Sequence, residues 1–159
     1  MDKQNRFFSS IDHGIEYLAS AILAFILLIG LLQVFNRYFL GFSMSWSEEV
    51  QIFGHIWIAF LGIAIAYRRN SHLYIETFCD KLPPRPRSVF NLMVELMWGA
   101  FALALIILGW QVAQVAHMQE SPGLEIPMSY PYYGLVIGGI YTLFVTLRRL
   151  FGGVWRVES

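Results

Sequence analysis

Charge is scarce in this sequence, and cysteine scarcer still. Asp, Glu, Lys and Arg together supply 14% of 159 residues, where an ordinary soluble domain carries about a quarter. The single cysteine, Cys79, excludes an intramolecular disulfide and any CxxC redox motif. No connecting segment between the apolar blocks approaches the ~50 residues of a small domain, so no soluble catalytic domain fits between them. Internal repeats and low-complexity segments are absent. So are paired mid-membrane carboxylates and broken helices, features that mark transport sites. The chain is therefore not expected to transport alone or to be an enzyme, and no nucleic acid or cofactor is expected.

Apolar surface is abundant: hydrophobic residues make up 57% of the chain and aromatics 16%. They come in blocks rather than periodic stripes. The blocks predict spans over approximately 15–36, 47–67, 89–116 and 130–151, each close to the ~20 residues that cross a bilayer. Between the second and third, apolar Tyr74, Ile75, Phe78, Cys79 and Leu82 alternate with Glu76, Thr77, Asp80 and Lys81. This spacing predicts an amphipathic interfacial helix over approximately 72–82, ended by Pro83, Pro84 and Pro86. The expected fold class is an all-α integral membrane protein, one four-helix membrane domain over 1–159 with that interfacial helix on its cytoplasmic side. Residues 1–14 suit a short helix on the same surface. The first apolar block runs to Phe35, too long for a signal-peptide core, and reads as a retained anchor.

The basic residues fall unevenly. Lys3, Arg6, Arg68, Arg69, Lys81, Arg85, Arg87, Arg148, Arg149 and Arg156 lie on one side, and Arg37 alone lies on the other. By the positive-inside rule both termini of this multi-pass protein are cytoplasmic, with its loop 117–129 outside.

The richest stretch runs from Asn36 to His72. Ser45-Trp46-Ser47-Glu48 reads as a capping box, so a helix starts near Ser45 with Glu48 and Glu49 in its first turn. Arg37 closes the preceding span. A hairpin elbow over 38–44 brings it to the same depth, which predicts an ion pair of Arg37 with Glu48 or Glu49. Gln33 and Asn36 at the outer end of the first span are expected to face other helices rather than lipid. Gly54 and Gly62, and the GxxxG pair Gly134 and Gly138, provide faces for close helix approach. Trp46 and Trp57 join Gln33, Asn36, Gly134 and Gly138 as candidate interface residues. Arg68, Arg69 and His72 read as a stop signal in contact with phospholipid headgroups. Glu95, an ionisable residue within a span, calls for a hydrogen bond inside the bundle or to a partner subunit. An alternative pairs His55 with His117 and His13 with His72 as haem ligands at two depths. Against it, His13 and His72 stand among polar residues outside the spans, and His117 is at a helix end.

At Asn36-Arg37-Tyr38, at Trp46-Ser47-Glu48-Glu49, along Phe53, Trp57 and Phe60-Leu61-Gly62, and at Arg69 followed by His72, the chain resembles a known family. It is similar to the small membrane subunit (Q subunit) of tripartite ATP-independent periplasmic (TRAP) transporters. The likeness covers most of the chain, including the four spans and the Leu82-Pro83 break; the third and fourth spans match only in hydropathy. The resemblance implies an obligate heterodimer with a much larger multi-span permease subunit, which holds the substrate and sodium sites and moves as an elevator. It also implies a periplasmic substrate-binding protein that delivers an organic acid, commonly a C4-dicarboxylate or a sialic acid. The small subunit would brace the static scaffold and help dock the binding protein.

Overall fold

The computed structural model of the chain describes residues 3–42, 44–69 and 84–152. They form four helices: α1 (Lys3–Phe35), α2 (Ser45–Arg68), α3 (Pro84–Ala116) and α4 (Ser129–Phe151). All four contain a stretch long and apolar enough to cross a membrane, within Ser9–Leu40, Ser45–Arg68, Arg87–Ala116 and Ser129–Phe151. The expected interfacial helix over 72–82, with His72 and Cys79, lies outside the described residues.

Two expectations about helix ends are corrected. Residues 1–14 do not form a separate surface helix as far as they are described. From Lys3 onward they belong to α1, which runs unbroken to Phe35 and continues as a π-helical turn, Asn36–Leu40, before Gly41 ends it at φ 69°. Within that stretch one carboxylate, Asp12, is turned inward. Pro84 and Pro86 open α3 rather than only closing what precedes it. A first turn has no intrahelical acceptor for its N–H groups, so proline there costs nothing.

The helices pack α1 on α2, α2 on α4 and α4 on α3, leaving α1 and α3 at the two edges. Glycine decides why α4 is central. A Cβ at Gly134 would stand 3.1 Å from the Trp57 ring, and one at Gly138 would stand 2.9 Å from Phe60 Cβ. Both glycines therefore let α2 approach. Gly139, turned to the other side, does the same for Ala102, Leu105 and Ile106 of α3. Gly134 and Gly138 thus serve an internal contact. On α2, Gly54 receives Ile26 of α1, whereas a Cβ at Gly62 would meet open space.

The core between α2 and α4 holds Ala64, Tyr67, Tyr141 and Val145, flanked by Trp98 of α3 and by Ile11 and Ile15 of α1. Thr142 and Thr146 are buried there too, each donating its hydroxyl to the carbonyl four residues earlier. That local bond satisfies the donor without a partner helix.

Candidate functional site

Charged side chains gather at the two ends of the bundle. No Asp, Glu, Lys or Arg occurs over 17–32, 50–67, 96–116 or 129–147.

At the end where α1 begins, an ion-pair belt crosses all four helices. Asp12 of α1, only 4% exposed, accepts from Arg68 of α2 at 2.9 Å. It also accepts from Arg148 of α4 at 3.1 Å and from the Tyr141 hydroxyl at 2.8 Å. One turn on, Glu16 takes Arg68 and, at 2.9 Å, Arg69. Across the bundle Glu95 of α3, also 4% exposed, accepts from Arg149 Nε at 2.7 Å and from the Tyr67 hydroxyl. Arg149 donates further to the Tyr67 carbonyl at 3.1 Å and lies 4.8 Å over the Tyr67 ring. The Trp98 ring stacks on the Tyr67 ring, with centroids 4.4 Å apart.

The belt is built by helix geometry. Adjacent residues on an α-helix point about 100° apart. The neighbours Arg148 and Arg149 therefore diverge from α4, one to Asp12 on α1 and the other to Glu95 on α3. Asp12 and Glu95 each join a tyrosine and an arginine from other helices, so each buried charge is met by at least two hydrogen bonds. Such a network avoids the penalty of an uncompensated buried charge. Asp12, Glu16 and Glu95 against Arg68, Arg69, Arg148 and Arg149 leave one positive charge in excess.

The opposite end uses neutral donors. Glu49, in the first turns of α2, accepts from the Ser121 hydroxyl and from the backbone N–H groups of Gly123 and Leu124, both at 2.9 Å. Its carboxylate thereby holds the loop 117–128 against α2. The loop folds on itself around this anchor. Ser121 N–H donates to the Ile126 carbonyl at 2.9 Å and Met128 N–H to Gln119 at 2.8 Å. Gly123 is required by the close approach, because a Cβ there would stand 3.0 Å from both Glu49 Oε2 and Trp46 N. Between α1 and α2 a polar ladder runs from Gln51 to Gln33 at 2.6 Å and from Gln33 to Glu48 at 3.2 Å. The Asn36 amide reaches the Met44 sulfur at 3.2 Å, and Trp57 Nε1 donates to the Tyr130 carbonyl at 3.1 Å.

These placements revise several expectations. Helix α2 does start at Ser45, but its N-cap is Met44, without a side-chain cap. Ser47, fully buried, bonds back to the Met44 carbonyl at 2.6 Å, and the capping box does not form because Glu48 is drawn to Gln33. The structure does not bring Arg37 to Glu48 or Glu49. Both carboxylates have other partners, and Arg37, carried on the π-helical turn, is exposed without an ion pair to any described residue. Arg68 and Arg69, read as headgroup contacts, turn to Asp12 and Glu16. Glu95 finds its hydrogen bonds inside the bundle. Gln33, Asn36, Trp57, Gly134 and Gly138 all have contacts within the chain.

Sequence reasoning missed Asp12, Glu16, Tyr67, Tyr141, Arg148 and Arg149 as belt members. The signal was present: two Arg-Arg pairs and three carboxylates at helix ends of matching depth. The haem reading gains no support. His13 contacts the Ser9 carbonyl, His55 the Gln51 carbonyl and His117 the Ser129 hydroxyl, and no metal-ligating group of three occurs among the described residues.

The model of a family described as tripartite ATP-independent periplasmic transporters, DctQ component, matches residues 26–156. The sialic acid TRAP transporter small permease protein SiaQ of Vibrio cholerae is 32% identical over 136 residues, covering 86% of this chain and 79% of that protein. A putative TRAP transporter small permease protein of Haemophilus influenzae is 27% identical over 145 residues, 91% of this chain and 90% of its own length. The isethionate TRAP transporter permease protein DctMQ of Oleidesulfovibrio alaskensis is 28% identical over 97 residues, 58% of this chain but 15% of that longer protein.

Proposed function

We propose a function from one premise: the chain belongs to the family of DctQ components of tripartite ATP-independent periplasmic transporters. In this reading it is the non-catalytic, static subunit of a sodium-coupled transporter for organic acids. It sits in the bacterial inner membrane with both termini cytoplasmic, braces a large permease subunit and helps dock a periplasmic binding protein. The observation that carries the reading is the pairing of two polar ends with an uncharged middle. The Asp12–Glu95 belt and the Glu49 clamp tie the helices at both ends, and no ion or acid could be held midway by charged side chains. A body so fastened suits a brace better than a moving carrier.

The names of the relatives support the partner and the cargo. The DctMQ relative is named as a permease, and the part similar to this chain is a small share of it, which fits a brace that serves a larger transport body. The SiaQ relative is named for sialic acid, an organic acid. The proposed orientation is supported by the basic belt, whose positive excess suits the cytoplasmic face.

Proteoliposomes test the role. This chain alone should accumulate no labelled organic acid on an imposed sodium gradient, whereas chain, permease and binding protein together should. Uptake by the chain alone, or undiminished uptake by permease and binding protein without it, would overturn the assignment. Single cysteines at Glu120 and Arg85, in a Cys79→Ser background, should label from outside and inside respectively; the reverse pattern would invert the topology.

A further inference from the structure

The two polar ends also measure depth. From Asp12 to Gln33 α1 rises about 30 Å at ~1.5 Å per residue, and from Glu48 to Arg68 α2 rises the same. That distance equals the hydrocarbon thickness of a typical bilayer, about 30 Å. The belt and the Gln33–Glu48 ladder thus mark its two boundaries. The hairpin between α1 and α2 continues outward past the ladder, and its tip is strongly apolar. Tyr38 is 80% exposed, Phe39 75% and Phe42 71%. Acyl chains cover such surface below Gln33 but not above it. Arg37 opens this tip, exposed and without an ion pair to any described residue.

We propose that this tip, Arg37 to Phe42, is the surface on which the large permease subunit docks. The inference rests on the reading above that such a partner exists. Three observations select that occupant. The apolar surface does not stop at the boundary but runs down α1 through Phe35, Leu31 and Leu28, which are 51%, 68% and 64% exposed. A partner that covers both the tip and this flank must itself be embedded in the membrane, which a soluble binding protein is not. Second, α1 stands at an edge of the bundle, and only 6% of its most apolar window is buried within the chain. Third, a lone guanidinium beside aromatic rings at the membrane boundary calls for a carboxylate on the facing surface. The π-helical turn, stacking Phe39 on Phe35 with ring centroids 4.7 Å apart, sets the tip as one contiguous patch.

Photo-crosslinking in the assembled transporter tests this. A benzophenone amino acid at Phe39 or Phe42 should yield an adduct with the permease, whereas one at Met97 or Ile107, on the far edge helix α3, should not. Adducts from the tip to the binding protein alone, no protein adduct from the tip, or permease adducts from α3 instead would each overturn the proposal. In parallel, Phe39→Ser/Phe42→Ser should lower the permease recovered with the tagged chain roughly tenfold, as loss of aromatic anchors does. Arg37→Glu should lower recovery and Arg37→Lys retain it. The melting of the isolated chain, measured alongside, separates lost docking from lost folding. If the wild-type chain recovers no permease, the reading of the previous subsection fails. If it recovers permease but the tip gives no adduct, only the present proposal fails.

Discussion

At the end of the bundle that carries Asp12 and Glu95, three carboxylates meet four guanidiniums. At the end that carries Glu49, one carboxylate meets a hydroxyl and two backbone amides. The difference follows from where basic residues occur. The loop 117–129 contains no Lys or Arg, so a carboxylate placed beside it must be satisfied by neutral donors, and the loop folds to supply them. The other end is rich in arginine and can use pairs that reach between any two helices. Ion pairs there join segments far apart in sequence; the amide clamp instead fixes one loop to one helix. The distribution of charge that orients a membrane protein thus also decides which chemistry fastens each end.

That contrast can be broken most severely at the belt. Glu95→Ala removes the one carboxylate described beside Arg149 and the acceptor of the Tyr67 hydroxyl. Deleting one partner of a buried pair costs about 3–5 kcal/mol, to be read as a large drop in melting temperature in detergent. Asp12→Ala should cost less, because Arg68 keeps Glu16 and the Arg148 side chain is 31% exposed. Equal melting of wild type and Glu95→Ala would show that the belt does not hold the fold.

A smaller and more local effect is expected at the other end. Hydrogen bonds to a charged acceptor are shorter and stronger than neutral ones. Glu49→Ala should therefore speed exchange of the Gly123 and Leu124 amides, with little change at the belt. If exchange spread through α4, the two ends would not be independent.

Packing between the ends gives a third, milder contrast. Gly138→Ala forces Phe60 away and should cost about 1–3 kcal/mol. Gly62→Ala meets open space and should be neutral or stabilising by up to ~1 kcal/mol, through helix propensity. The smallest effect belongs to Arg37→Ala, which should change the melting of the isolated chain by less than about 0.5 kcal/mol, whatever it does to the assembled transporter. A loss comparable to Asp12→Ala would restore the ion pair with Glu48 or Glu49 that the structure does not show.

The four spans and the start of α2 were legible because length and hydropathy alone define them, and the family was legible in short motifs around Arg37 and Glu49. The belt was not. Arg148, Arg149, Arg68 and Arg69 could be seen as basic, but their partners depend on how each helix is rotated, which hydropathy does not report. Asp12 and Glu16 were hidden for a related reason: a polar stretch at the start of α1 looks like a surface helix until a neighbour supplies arginines at its depth. Arg37 misled in the opposite way. The hairpin set it near the two glutamates in sequence, but Gln33 and the loop amides had already claimed those carboxylates.

The divergence of Arg148 and Arg149 makes the inner half of α4 sensitive to length in a way that it is not to composition. Removing one residue between Gly139 and Arg148 would move Arg149 into the place of Arg148, facing Asp12 and leaving Glu95 with Tyr67 alone. Arg148 would take the position of Leu147, which is 44% exposed on the lipid side. Adding one residue would send Arg148 to Glu95 and strip Asp12 of its α4 arginine. Every such change turns the pair by about 100°, and no single substitution elsewhere on α4 can turn it back. Among members of this family, insertions and deletions should therefore collect in the connections and at the chain ends, while this half-helix drifts in side chains but keeps its count.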